Sequence, residues 1–291
     1  MSRPGFDAVF MDIPDAAADD RLSQRDAGMD ADPASDDDAG MPPMGAAPMT
    51  PLSGPGCGRA QLQEGIDRYF SALASGDWAA APLAPEVRAT EQGQEVSFSE
   101  GLYATQPLLK FANSVLDMGQ CQSLSEVVLD EQGADVIASV RLKIEQGLIA
   151  EVESLLVRSA DRFDPEALQE TDLSMWQTSV QASARATRGQ LVTAVDAYLD
   201  VFGMGWGSPA LFSMCDRRHN GYSTSAATCV PTDSTALVWQ RRYSAVDEET
   251  GMVGVMAGYG TRKLSTFVIK VVSSDVMYVD QVVTAGTEFG W

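Results

Sequence analysis

The sequence predicts an α+β protein made of two tandem copies of one unit, and two internal echoes carry that reading. Gln61-Leu62-Gln63-Glu64-Gly65-Ile66-Asp67-Arg68-Tyr69-Phe70 returns as Gln190-Leu191-Val192-Thr193-Ala194-Val195-Asp196-Ala197-Tyr198-Leu199. Gln, Leu, Asp and Tyr recur in place, while Val195 stands for Ile66, Leu199 for Phe70 and Phe202 for Leu73. The apolar places fall at helical spacing, so each copy reads as an amphipathic helix. The second echo joins Ile149-Ala150-Glu151-Val152-Glu153-Ser154-Leu155-Leu156 to Val276-Met277-Tyr278-Val279-Asp280-Gln281-Val282-Val283, both β-rich and both closing their unit. The helix echo is offset by 129 positions (61 to 190) and the strand echo by 127 (149 to 276). A single long-range echo of this kind marks a duplicated domain, since a solenoid needs several short repeats.

Residues 1–56 are rich in Asp, Ala, Pro, Gly and Met. Such a segment cannot offset its ordering entropy by burial, so a disordered acidic tail is expected. The first unit then spans 57–160. Its helix runs from Gly58 to about Ser75 and stops at Gly76-Asp77, with a short helical segment from Trp78. Leu83 to Pro85 breaks the pattern, and Val87–Glu91 with Gln94–Phe98 form a hairpin around Gln92-Gly93. Pro107–Asp117 reads as a short helix on Leu108, Leu109, Phe111, Ala112 and Val115. Strands follow at about 121–130, 135–145 and 148–158, with Gly133 and Gly147 as turn residues. A connector covers 161–187, with a helix at 165–170 after Asp164-Pro165. The second unit spans 188–291. Its helix ends near Gly203, Gly203–Pro209 is a loop, and Cys215–Tyr222 is a dense polar segment with a turn at Asn220-Gly221. Strands are expected at about 236–246, 251–259, 264–272 and 275–284.

The 291 residues suffice for two domains with real cores. The formal charge of −21 disfavours a nucleic-acid partner. No stretch approaches the length of a membrane span, so no membrane partner is expected. The N-terminus lacks the apolar core of a signal peptide, which gives a cytoplasmic expectation; a start assigned elsewhere would make it periplasmic or secreted. The four cysteines show no C-x-x-C spacing. Two fall in each copy, which allows the bridges Cys57–Cys121 and Cys215–Cys229; free buried thiols in a reducing cytosol are the alternative. With one histidine, His219, there is no His-based metal cluster, and any Ser-His-Asp triad would have to use that residue. Neither G-x-G-x-x-G after a strand nor G-x-x-x-x-G-K-S/T occurs, so nucleotide and nicotinamide chemistry is disfavoured and no cofactor is expected.

The order of elements, the closing Glu151-Val152-Glu153 strand and the duplication resemble the nuclear transport factor 2-like superfamily, which includes the SnoaL-like polyketide cyclases. More closely, the chain resembles an uncharacterised two-domain family known largely from secreted fungal proteins. The matching stretches are Leu83-Ala84-Pro85-Glu86-Val87 with Thr90-Glu91, Gly101-Leu102-Tyr103, and Arg141-Leu142-Lys143. In the second unit they are Cys215-Asp216-Arg217 with Gly221-Tyr222-Ser223-Thr224, Arg241-Arg242-Tyr243, and Val246-Asp247-Glu248-Glu249-Thr250-Gly251. The resemblance implies two tandem cone-shaped α+β barrels, each a curved antiparallel sheet wrapped around helices and enclosing an apolar cavity with a few polar groups. Such a cavity can bind a small molecule or become an active site, and fold alone does not choose between these.

Alternate strand residues share a face. On 136–144 one face is Val136, Ala138, Val140, Leu142 and Ile144; the other, Ile137, Ser139, Arg141 and Lys143, is either solvent-facing or cavity wall. A cavity Arg141 could hold a phenolate or carboxylate. Tyr103 is the preferred catalytic tyrosine, because Tyr69 and Tyr198, repeated at one place in both helices, are explained first by packing. Glu91 and Glu153 could act as bases if burial raised them, exposed strand carboxylates being the simpler account. Arg217 and His219, with Arg241 across a strand pair and Tyr243 beside it, could bind an anionic group; a loop held by Asp216–Arg ion pairs is the alternative. The expected function is a cofactor-independent lyase acting on a small phenolic aromatic molecule. The superfamily resemblance extends to bacterial lyases that release formaldehyde from lignin-derived dimers. Tyr103, Arg141, Glu153 and His219 would be catalytic there, and Glu91, Arg217, Arg241 and Tyr243 would bind substrate, with no metal. A non-catalytic binding module and a secreted interaction protein are the rivals. A homodimer paired through the sheets is expected, as cone domains often pair that way.

Overall fold

The computed structural model describes residues 50–53, 56–160, 162–202, 215–224, 229 and 237–285. The acidic segment up to residue 49 and the Gly203–Pro209 loop lie outside the described residues. Two six-stranded sheets dominate. The first is built from β1 (Leu83–Glu91), β2 (Gln94–Glu95), β3 (Leu108–Asp117), β4 (Gln122–Glu131), β5 (Ala134–Glu145) and β6 (Leu148–Val157), in the order β2-β1-β6-β5-β4-β3. The second repeats that order with β7 (Asp216–His219), β8 (Tyr222–Ser223), β9 (Val238–Asp247), β10 (Met252–Tyr259), β11 (Lys263–Val272) and β12 (Asp275–Ala285). The tandem cone expectation holds, with one correction: the sheets are mixed rather than antiparallel. The strand that enters each unit lies parallel to the strand that closes it, β1 beside β6 and β7 beside β12.

Each sheet curves over one long helix. Helix α1 (Arg59–Ser75) buries Leu62, Ile66, Tyr69, Phe70 and Leu73, one apolar face at 3.6-residue spacing. It stops where Gly76 adopts φ 72° and returns its N–H to the Ala72 carbonyl. Helix α5 (Arg188–Leu199) starts on a capping box between Thr187 and Gln190 and buries Leu191, Val195, Tyr198 and Leu199. The short helix α2 (Gly101–Thr105) closes the first unit, and α3 (Pro165–Gln169) and α4 (Leu173–Gln177) lie in the connector.

The segment Pro107–Asp117, expected as a helix, is strand β3. Phe111, Asn113, Val115 and Asp117, every second residue, are buried on one face, Leu116 is buried on the other, and Leu108 and Leu109 are exposed. Two buried positions are polar, so the apolar residues alone mimic helical spacing and the true period of two is hidden.

The convex faces of the two sheets pack on each other. Val115, Leu124 and Leu155 of the first meet Ala245, Met252, Met256, Leu264 and Val268 of the second. The connector seals the seam by inserting Trp176 and Leu168. Buried Lys270 fastens it, donating to the carbonyls of Trp176 (2.8 Å), Thr178 (3.0 Å) and Thr250 (2.5 Å). Ser139 on β5 and Thr266 on β11 hydrogen-bond at 2.5 Å, and they stand 127 positions apart, the offset of the strand echo. Equivalent residues of two copies meet only on a two-fold axis, so the packing is isologous. The face Ile137, Ser139, Arg141, Lys143 therefore meets the other unit over much of its length, where solvent or cavity was expected. The sheet faces through which two chains were expected to pair already cover one another within this chain.

The two-fold relation extends to ion pairs. Arg59 opens α1 and binds Asp247 at the end of β9 (2.7 Å) as well as Glu249 (3.1 Å). Arg188 opens α5 and binds Asp117 at the end of β3 (2.7 Å). A cation at a helix N-terminus opposes the helix dipole, so the reason for each arginine is the acid of the other unit. Asp117 and Asp247 are each 1 % exposed in the side chain, and each also accepts backbone N–H groups of the turn that follows, Gly119 and Gln120 in one case and Glu249 in the other.

Gly254 lies against Leu124 of the other sheet, and a Cβ there would lie 2.7 Å from Leu124 Cδ2 and 3.0 Å from its Cβ. Gly254→Val must push the sheets apart, and overpacking of this kind costs about 1–3 kcal/mol; urea denaturation should show the midpoint falling accordingly. The same interface buries Glu126 and Asp280. Burial pushes the Glu126 carboxyl well up, with Asp280 adding to the rise and Arg218 opposing it. Burial raises Asp280 from 3.8 to about 7, against the pull of Arg218 and with a push from Asp216. The folded Asp280 thus keeps a proton that the unfolded chain has lost between about pH 4 and 7, and stability should fall as pH rises through that window. Denaturation at pH 5 and pH 8 should show this drop, and Asp280→Asn should shrink it.

Candidate functional site

Polar groups converge inside each unit, but the two interiors differ. In the first, Tyr103 on α2 reaches the Ser154 hydroxyl of β6 at 3.3 Å. Its ring packs edge-on to Trp78 and tilted against Phe98 (centroids 5.6 and 4.9 Å), and Tyr69 lies against Trp78 and Phe70. Burial raises Tyr103 to about 12, so its hydroxyl keeps its proton at neutral pH. Glu91 at the end of β1 accepts the Leu102 N–H at 2.7 Å and so anchors the start of α2. This interior is filled by aromatic rings.

The second interior centres on Arg217. On β7 it pairs with Val279 and points to the concave side, with 3 % of its surface exposed. Its Nη2 donates to Gln281 Oε1 at 2.5 Å, and Gln281 Nε2 donates in turn to Ser265 Oγ at 3.1 Å. The guanidinium lies 5.4 Å from the centroid of the Phe202 ring, and Phe202 contacts Tyr198, Tyr259 and Phe267 edge-on. Among the described residues no carboxylate lies within ion-pair distance of Arg217, and its buried Nε has no hydrogen-bond partner. Tyr198 donates to the Cys229 carbonyl at 3.3 Å, and burial raises it to about 12 although Arg217 pulls the other way. His219 follows two residues after Arg217, on the same side of β7 and opposite Gln281.

The duplication makes the interiors comparable position by position. Ser154 and Gln281 are equivalent, and their parallel-strand partners are Glu91 and His219. Two residues earlier stand Ala89 and Arg217. The second copy therefore holds an arginine and a histidine where the first holds an alanine and a glutamate.

The other expected site residues lie elsewhere. Arg141 and Glu153 are on the convex face of the first sheet, in the seam. Glu153 is fully buried, is bonded by Arg242 of the second unit and lies 3.8 Å from Arg141; Arg141 bonds Glu151 (2.9 Å) and Gln122 (2.8 Å). Arg241 was expected across a strand pair from Arg217, yet β12, β11 and β10 lie between β7 and β9 in the sheet. Arg241 binds Asp196 (3.0 Å) and Asp200 (2.7 Å), and the Tyr243 hydroxyl donates to Asp196 at 2.5 Å. Burial and Asp196 push Tyr243 well up. Both residues fasten β9 to α5. Gln281, Ser265 and Phe202 were not singled out from the sequence. Gln281 offered a signal: it is a polar residue within the echoed strand, where the first copy has Ser154.

Among the described residues, no group of three or more His, Cys, Asp or Glu is arranged to hold a metal ion, and no helix is long and apolar enough to cross a membrane. Both cysteine pairs are disulfides, with Cα atoms 5.2 Å apart in each.

Residues 184–282 match a family model described as a domain of unknown function (DUF8021). Comparison with curated proteins returns no match. Among solved structures, a nuclear transport factor 2-like protein of unknown function from Cytophaga hutchinsonii is 14 % identical, with TM-score 0.29, over 38 % of this chain and 95 % of that one. A protein provisionally assigned as a ketosteroid isomerase, from Kribbella flavida, is 18 % identical, with TM-score 0.30, over 39 % and 89 %. A protein provisionally assigned as a polyketide cyclase, from Xanthomonas campestris, is 18 % identical, with TM-score 0.29, over 33 % and 90 %. These likenesses are of fold and bring no substrate with them.

The bridges close loops of different size, with sequence separations of 64 and 14. Loop-closure entropy gives about 3 kcal/mol for a loop near the shorter size and roughly 4 for the longer. Replacing Cys57 and Cys121 by serine should therefore lower the unfolding midpoint more than replacing Cys215 and Cys229, as read by thermal denaturation under non-reducing conditions.

Proposed function

We propose that the chain binds a small aromatic molecule through an anionic oxygen, a phenolate or carboxylate, held by Arg217 inside the second unit, and acts on it without a cofactor. The observation that carries this is the buried guanidinium, which has no acid beside it among the described residues. Removing a charge from water costs several kcal/mol unless a counter-charge offsets it. Gln281 supplies only a neutral oxygen. A ligand anion would complete the pair, and the rings of Phe202, Tyr198, Tyr259 and Phe267 suit an aromatic body.

The chemistry that fits is general acid–base catalysis on a phenol, and the finer reading is a formaldehyde-releasing lyase of diarylpropane dimers. Arg217 would hold the phenolate. Tyr198, protonated at neutral pH, would assist a benzylic hydroxyl to leave as water, giving a quinone methide. His219 would then take the proton of the terminal hydroxyl. The carbon–carbon bond breaks, formaldehyde departs, and the electron pair flows into the quinone methide to give a stilbene phenolate. Arg141 and Glu153, on the convex face, have no part in this version. A binding protein without turnover is the second reading. The disulfides favour an oxidising compartment, which suits a secreted binder.

Calorimetry with 4-hydroxybenzoate tests the binding step. Wild type should bind saturably, and Arg217→Gln should lose at least tenfold in affinity while keeping its circular dichroism. Formaldehyde assays on a phenolic diarylpropanediol test the chemistry. Turnover that His219→Gln abolishes supports the lyase, binding without turnover across a panel of phenolic dimers leaves the binder, and equal affinity in Arg217→Gln removes both.

A further inference from the structure

We propose that Gln281 makes the interior of the second unit selective for an anion and that Ser265 is the residue that positions it; this rests on the reading of Arg217 as the group that holds the ligand. A guanidinium can only donate hydrogen bonds. The Gln281 atom that faces Arg217 Nη2 must therefore be the amide oxygen. The other end of the amide is fixed independently. Ser265 gives its hydroxyl proton to backbone carbonyl groups, those of Val282 (3.0 Å) and Thr266 (3.4 Å). Its oxygen is left to accept from Gln281 Nε2 at 3.1 Å. Both contacts demand the same orientation. A reversed amide would set donor against donor at Arg217 and oxygen against oxygen at Ser265.

This series of contacts has no counterpart in the first unit. Ser265 stands 127 positions after Ala138, the separation of Ser139 and Thr266. The register agrees, with Ala138 opposite Leu156 and Ser265 opposite Val283. The first unit thus has Ala138, Ser154 and Ala89 where the second has Ser265, Gln281 and Arg217. Ser154 turns instead to the Thr90 carbonyl (3.1 Å) and to Tyr103. A buried hydroxyl and a buried amide cost free energy unless they are hydrogen-bonded. Both are fully buried here, and both occur in the copy that has the arginine. Their chemistry explains the choice: an amide oxygen orients a guanidinium without neutralising it. A glutamate of the same shape would complete an ion pair and leave no charge for a ligand. The acid next in sequence, Asp280, lies opposite Val268 on the other face of β12, in the seam.

Gln281→Glu is the decisive variant, because it keeps the shape and adds a counter-charge. It should raise the melting temperature, since the introduced carboxylate pairs with Arg217. It should also weaken 4-hydroxybenzoate binding in calorimetry by roughly tenfold or more, as that carboxylate competes with the ligand for the buried cation. A residue with a merely structural role would move stability and affinity down together. Ser265→Ala should weaken binding by roughly tenfold, the scale of one buried hydrogen bond. Ser265→Thr should restore it, and Ser265→Ala should add nothing in a Gln281→Leu background. Wild-type affinity in Gln281→Glu, or a lowered melting temperature in that variant, would overturn the proposal, and unchanged affinity in Ser265→Ala would remove the positioning role of Ser265. If Arg217→Gln loses the ligand while Gln281→Glu keeps it, the site stands and the role of Gln281 falls. Absence of binding to wild type removes the ligand reading itself, and this proposal with it.

Discussion

Each sheet has two apolar faces, and its own helix can cover only the concave one. The convex face of the first sheet carries Phe111, Val115, Leu124, Val128, Ile137 and Leu155, a patch that would face water in an isolated unit. The second sheet covers it, and the rest of the structure follows from that contact. Gly254 is small because Leu124 must approach its backbone. The arginines that open the two long helices defy the helix dipole because the acids they serve lie across the seam. The connector is ordered between the units because Trp176 and Leu168 have a slot to fill there. Polar residues in the seam are tolerated where they find partners, as Ser139 and Thr266 do, and buried Asp280 by keeping its proton below about pH 7.

Much of the fold was legible from the two echoes, since a repeated amphipathic helix and a repeated closing strand specify the unit and its copy. Strand β3 was not, because buried Asn113 and Asp117 disguised alternation as helical spacing. The mixed character of the sheets was also hidden: a parallel pairing joins residues such as Leu83 and Ile149, and nothing local records which distant strand lies alongside. The convex face of β5 shows the same limit. Alternation separated Arg141 from Val140, but could not say that a second sheet, rather than solvent or a cavity, lay beyond.

For the candidate site, the polar segment after Cys215 carries Arg217 and His219, which lie on one side of β7. Its meaning came from the interior of the second unit, where Gln281 and Phe202 meet Arg217 from distant parts of the chain. Arg241 and Tyr243 misled because adjacent motif residues need not share a site; they are engaged by Asp196 and Asp200 of α5. Tyr103, expected as a catalytic tyrosine, is bonded to Ser154 and packed among the rings of Trp78 and Phe98.

A two-fold homodimer must make every substitution twice, once on each side of its axis. Here the same geometry is carried by one chain, with Ser139 and Thr266 meeting at the centre. An arginine can then replace an alanine in one interior while the other keeps Ala89 and its packed rings. The first interior keeps its packed rings, while the second holds a buried arginine that has no acid beside it among the described residues. The two interiors can differ within one fold, which identical subunits could not do.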